Sequence, residues 1–140
     1  MYAKSRMEEY TKGTTNYMPV VDSEGKRALF RQKETYDWFM DAAKQAPSWK
    51  NQVTVRSVEI NREYAPAAYI HLIAPTPLLM IIESDDSLCP SEDQKKAFER
   101  AKEPKKLIVL KGGHFDPYQG DGFTKASAAA VEWFKQYLKP

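Results

Sequence analysis

Residues 76–84 read TPLLMIIES, an apolar run bounded by Pro77 and by acidic residues, and residues 106–112 read KLIVLKG, a second such run ending in glycine. Continuous apolar runs of this length are what strands covered on both faces require. Between them Ser91 opens a helical stretch, where it can act as the cap and Gln94 can close a capping box. Ala97, Phe98 and Ala101 supply that helix with a buried stripe, and Pro104 stops it. A last helix is predicted near Ser127 to Leu138, with Val131, Phe134 and Leu138 on one side. The order strand, helix, strand, helix implies two parallel strands joined by a crossover, with both strand C-termini at one edge of the sheet.

Parallel sheets place their chemistry in the crevice beyond the strand C-termini, and two loops open there. One carries ESDDSLCP (residues 83–90) and the other GGHFDPY (residues 112–118). Neighbouring strands would bring Asp86 and His114 side by side, close enough for the carboxylate to accept the imidazole Nδ1 proton. Such a contact fixes the tautomer, leaves Nε2 free as a base and stabilises the imidazolium. Asp85 is the fallback acid. Asp116 and Tyr118 are expected to shape the loop behind His114.

TPLLMIIESDDSLCP, followed after a helix by EPKKLIVLKGGHFDPY and AAAVEWFKQYL, resembles the end of an α/β-hydrolase. The resemblance is strongest to the microbial, especially fungal, branch that includes dienelactone-hydrolase-like enzymes and polyketide transferases. It extends over roughly residues 30–139, because WKNQVTVRSVEINREYAPAAYIHLIAPTPLLMI is similar to the region of this branch linking its cap to the strand before the acid. The resemblance implies an α/β fold: the last parallel strands of an α/β-hydrolase with flanking helices, plus a helical, cap-derived N-terminal region. Asp86, four residues before Pro90, matches the triad acid, and His114 matches the triad base. Trp49 lies in the segment that borders the substrate cleft in this branch, and Tyr118 stands at the mouth of the histidine loop. Both are candidate substrate contacts.

The implied activity is hydrolysis of an ester or thioester, or transfer of a polyketide-like acyl group. The chain departs severely from the family pattern, and what remains resembles a C-terminal half without the nucleophile-bearing half. It has no G-x-S-x-G pentapeptide to raise a serine nucleophile and no HGGG-like oxyanion segment. Two functional classes follow: an acyl-transfer enzyme whose nucleophile lies elsewhere, or an incomplete remnant that binds, assembles, or uses His114 only as a proton carrier in a lyase- or cyclase-like reaction. Cys89, three residues from Asp86, is a conceivable thiol nucleophile but reads more simply as a small filler before Pro90.

Composition narrows the partners. The 140 residues suit one domain, read as a cap- or linker-like region over 1–70 and a strand–helix unit over 71–140. Basic residues number 21 and acidic residues 19, so a net charge of +2 offers no field that would gather nucleic acid or an anionic membrane. Cys89 is the only cysteine, which excludes an internal disulfide. With His71 and His114 as the only histidines, too few soft ligands remain for a structural zinc site, and no metal or cofactor is expected. No apolar run is long enough to span a bilayer, so the expectation is a soluble, cytoplasmic protein. The expected ligand is a small acyl or ester-type molecule. Two parallel strands leave an open edge, so self-association, or pairing with a nucleophile-bearing chain, is also expected.

The N-terminal half carries weaker signals. Residues 1–30 are broken by Gly13, Pro19 and Gly25 and read as an extended or weakly helical lead-in. Tyr36, Phe39 and Met40 place an aromatic stripe on a helix over 34–46. Residues 49–64 fit either period, and helix is favoured because NREY continues without a turn signal. His71 reads as a surface or linker residue, and the lysine pairs 95/96 and 105/106 as solvated charges.

Overall fold

The computed structural model describes residues 1–138, which divide into two compact units: Met1–Tyr64, and the chain from Ala65 onward. In the first unit, helix α1 (Tyr2–Lys12) occupies the start of the lead-in expected to be extended or weakly helical. Its end is set by Gly13, whose φ of 65° is open to glycine and whose N–H returns to the Glu9 carbonyl at 3.0 Å. Strand β1 (Tyr17–Met18), helix α2 (Lys33–Ala42), strand β2 (Val53–Thr54) and helix α3 (Val55–Asn61) follow. β1 and β2 form a short antiparallel pair, too brief for alternation to reveal.

The predicted helix over 49–64 is therefore confined to α3. Thr54 starts it by accepting a hydrogen bond from the Ser57 N–H at 3.0 Å, an N-cap that leaves Val53 and Thr54 extended. In α2 the fully buried residue is Thr35, while Met40 of the expected stripe is exposed. Phe39 does pack, between Phe30 and Trp49 at ring separations of 6.2 and 5.8 Å. Asn51 ties the unit together: its amide accepts from the Val20 and Val21 N–H groups and donates to the Val21 carbonyl at 2.8 Å.

The second unit contains β3 (Leu78–Glu83), α4 (Ser91–Arg100), β4 (Lys105–Leu110) and α5 (Gly120–Tyr137). β3 and β4 are parallel over six residue pairs, from Leu78 opposite Lys105 to Glu83 opposite Leu110. Each has one strand neighbour among the described residues. α4 is the crossover that parallel pairing demands. Glu92 and Asp93 in its first turn and Arg100 in its last complement the helix dipole. Ala97 and Ala101 are buried in a cluster with Ile70, against which Leu78 and Met80 pack. The Lys105 ammonium closes the far end of α4 on the Phe98 and Glu99 carbonyls, at 2.9 and 3.2 Å, so this lysine is a cap rather than a merely solvated charge.

Two expectations change at the helix ends. Ser91 is the first residue of α4 rather than its cap; its hydroxyl donates to the Ser84 carbonyl at 3.3 Å, and Gln94 donates to the Cys89 carbonyl at 2.6 Å instead of closing a capping box. α5 begins at Gly120, seven residues before the predicted start, and its buried residue is Trp133. Val131, Phe134 and Leu138, expected inside, are exposed. No helix among the described residues is long and apolar enough to cross a membrane.

Candidate active site

The parallel ladder continues beyond its last strand pair. The Ser84 N–H bonds the Leu110 carbonyl and the Asp85 N–H the Gly112 carbonyl, both at 2.9 Å. These two bonds carry the acid loop and the histidine loop alongside each other as they leave the sheet. The acid loop then folds around its own side chain: Asp86 Oδ1 accepts from the Leu88 and Cys89 N–H groups, each at 2.8 Å. Oδ2, left free by that turn, meets His114 Nδ1 at 2.9 Å.

On the other side, Asp116 organises the loop that presents His114. Its Oδ2 accepts from the Gly113 N–H at 2.8 Å, while its own N–H returns to the Gly113 carbonyl at 3.2 Å. Gly112 is a glycine for lack of room: a Cβ there would run into the Asp116 carboxylate and lie 3.0 Å from Glu83 Oε2. The His114 ring is flanked edge-on by Phe115 at 4.9 Å and Tyr118 at 6.3 Å.

Asp86 is nearly enclosed, its side chain retaining 6% of its exposure against 25% for His114. Burial pushes the Asp86 carboxyl up, but the Cys89 N–H, His114 and the Leu88 N–H outweigh it and hold the group below its ordinary value. Burial, followed by the Asp86 charge, pushes the Cys89 thiol up, so this cysteine is not an activated thiolate. Glu83 ends β3, where the sequence marks only a boundary of the apolar run. It is 3% exposed, and neither carboxylate oxygen has a hydrogen-bond partner among the described residues. Burial raises its pKa, as do the charges of Asp116, Asp86 and Asp85, while Lys125 opposes them. Glu83 and the preceding Ile82 are both buried at the end of β3, and an acidic residue there gives no sequence signal of burial.

Of the four candidates, the structure brings Asp86, His114 and Tyr118 together in the second unit. Trp49 belongs to the first unit, where its ring rests against Phe39. Asp85 pairs with Lys111 at 3.7 Å. A cavity of about 440 Å³ lies beside the histidine loop, lined by Lys111, Asp116, Gly120 and Lys125 among others.

No family model matches the chain. In structure it is similar to the crystallised α/β-hydrolase GrgF from Penicillium, with a TM-score of 0.75 and 26% identity over 96% of this chain and 46% of that one. The chain carries part of an α/β-hydrolase fold. Among curated proteins it is similar to a polyketide transferase of Gibberella fujikuroi, 42% identical over 73 residues, which are 51% of this chain and 23% of that protein. It is also similar to a thiohydrolase of Eupenicillium brefeldianum, 31% identical over 90 residues, or 63% of this chain and 29% of that protein. The chain thus spans about a quarter of the length of these curated relatives.

Proposed function

We propose that the chain supplies the acid and base of an acyl-transfer site acting on an ester, thioester or polyketide-like acyl group. His114 is the base, Asp86 is its orienter, and the nucleophile comes from outside these residues or from a second polypeptide. The observation that carries this reading is the 2.9 Å contact between Asp86 Oδ2 and His114 Nδ1, made by a carboxylate whose other oxygen is already held by two backbone donors. With Nδ1 committed to Asp86, Nε2 is the atom that takes a proton from an attacking hydroxyl or thiol and returns it to the leaving group. The names of the fungal relatives, polyketide transferase and thiohydrolase, support the same substrate class. Tyr118, exposed beside the imidazole, offers a ring for an apolar acyl chain, and Trp49 is a second substrate contact on the strength of the family resemblance. The open edge of β3 is the place for a partner strand, either from a second copy of this chain or from a nucleophile-bearing chain.

The test is turnover of a short activated thioester by the purified chain, alone and mixed with a polypeptide bearing G-x-S-x-G. Turnover in either setting is expected to fall by about 10²–10⁴-fold in His114→Ala. A rate unchanged by that substitution would remove the proposed base. The absence of G-x-S-x-G favours a second reading, a non-hydrolytic module that binds acyl ligands. Tight binding of an apolar acyl ligand, with no turnover in either setting, would select it. Sedimentation over a range of concentrations tests the edge: a monomer throughout would argue against self-association.

A further inference from the structure

The acid loop carries a third donor that the acyl-transfer reading does not use. A carboxylate oxygen of Asp86, the Cys89 sulfur and a ring nitrogen of His114 all lie within 4.8 Å of one another. We propose that Asp86, Cys89 and His114 form a three-donor site for a thiophilic divalent cation, with zinc as the reference ion. The donor set is one that zinc favours: a thiolate, an imidazole and a carboxylate, with the two anionic ligands balancing the charge of the ion. Sulfur binds zinc at about 2.3 Å and nitrogen or oxygen at about 2.0–2.2 Å, which places donor atoms roughly 3.2–3.8 Å apart in a tetrahedral set. The existing spacing therefore closes with a movement of about 1 Å. Rotation of the exposed Cys89 side chain can supply that movement with the turn left in place.

The surroundings already hold two of the donors in place. Asp86 Oδ1 is fixed by the Leu88 and Cys89 N–H groups, so one hydrogen-bonded turn sets the spacing between carboxylate and sulfur. Gln94 grips the Cys89 carbonyl and ties the same turn to α4. Coordination takes Cys89 as its thiolate, releasing the thiol proton to solvent, and takes a lone pair of the neutral imidazole. With three protein donors, a fourth position stays open on the solvent side, unlike the closed four-ligand structural site that the sequence excludes. The site rests on donor geometry and is independent of the acyl-transfer reading. If that reading also holds, the metal and the base exclude each other, because an ion on Nε2 occupies the basic atom and an ion on Nδ1 displaces the bond to Asp86.

Cobalt(II) titrated into the metal-free full chain is the probe, since thiolate-bound cobalt gives a near-ultraviolet charge-transfer band and four-coordinate cobalt gives strong visible bands. The expected result is saturation at one equivalent, with both features lost on addition of equimolar zinc. Cys89→Ser, a change at an exposed position, is expected to abolish the charge-transfer band, and His114→Ala to weaken binding by about 10-fold or more. Circular dichroism of each variant establishes that it is folded, and His114→Gln replaces His114→Ala if the latter is not. A wild-type chain with no charge-transfer band would overturn the proposal, as would a band whose affinity is the same in a folded His114 variant. No acyl substrate enters the assay, so its outcome is separate from that of the thioester experiment.

Discussion

The last residue of β3 and the loop immediately after it treat a carboxyl group in opposite ways. Glu83 and Asp86 are three residues apart and both are shielded from water, yet Asp86 receives two backbone N–H groups and an imidazole, whereas Glu83 receives no hydrogen bond from the described residues. Burial acts in the same direction on both, but only in Asp86 do donors overcome it. Burial alone therefore does not decide the charge state; the backbone conformation does. A strand spends its N–H groups on its neighbour, while a turn can aim two of them at one oxygen.

The sharpest way to break this contrast is Asp86→Asn, which removes the charge while keeping the shape. Loss of the charge-assisted bonds is expected to cost about 1.5–3 kcal/mol at pH 7, read from the urea midpoint. A carboxyl with a depressed folded pKa contributes stability above its unfolded value, and that contribution is lost as pH falls through the folded value. The gap between wild type and Asp86→Asn should therefore close below about pH 4. Gly112→Ala tests the crowding beside Glu83: the added methyl meets Asp116 and Glu83, and a loss of about 1–3 kcal/mol is expected, with His114 displaced along with its loop.

Glu83→Gln should act with the opposite sign. Because the folded pKa of Glu83 is raised, stability is full below its unfolded value of about 4.3 and is lost as pH rises through the folded value. The glutamine variant is thus expected to be more stable than wild type at pH 7, by about 1–2 kcal/mol, and equal to it near pH 4. A destabilised Glu83→Gln at pH 7 would mean that the carboxylate has a favourable role as an anion. The smallest effect is expected from Lys125→Met, which removes the cation that opposes the rise in the Glu83 pKa. The pH-dependent loss should extend to higher pH, with a change in stability of about 0.5 kcal/mol or less at pH 7.

That an acid of the first loop meets His114 is legible because it follows from topology, whereas the choice of Asp86 over Asp85 rests on the family offset to Pro90. Two apolar runs separated by a helix imply parallel strands, and parallel strands deliver their following loops to one edge. The turn that satisfies Asp86 was less legible, since it depends on where the chain goes after Ser87, which no periodicity encodes. α1 is only weakly signalled because its faces are polar and only Ser5 is buried; α5 starts before its apolar residues because Gly120 and Gly122, poor helix formers, lie in its first turn. The buried face of α5 was misassigned for a related reason. Val131, Phe134 and Leu138 keep a helical spacing, but the packing is made by Trp133, one position out of that stripe.

The six-pair alignment of β3 with β4 has a consequence for how the gene can change length. Side chains along a strand alternate between opposite faces, so inserting or deleting one codon within either strand would rotate everything downstream by half a turn. The carboxylate and the imidazole would then project to different sides of the sheet with every residue type intact. Length variation compatible with the pair has to fall outside the two strands, in the crossover or beyond the histidine turn.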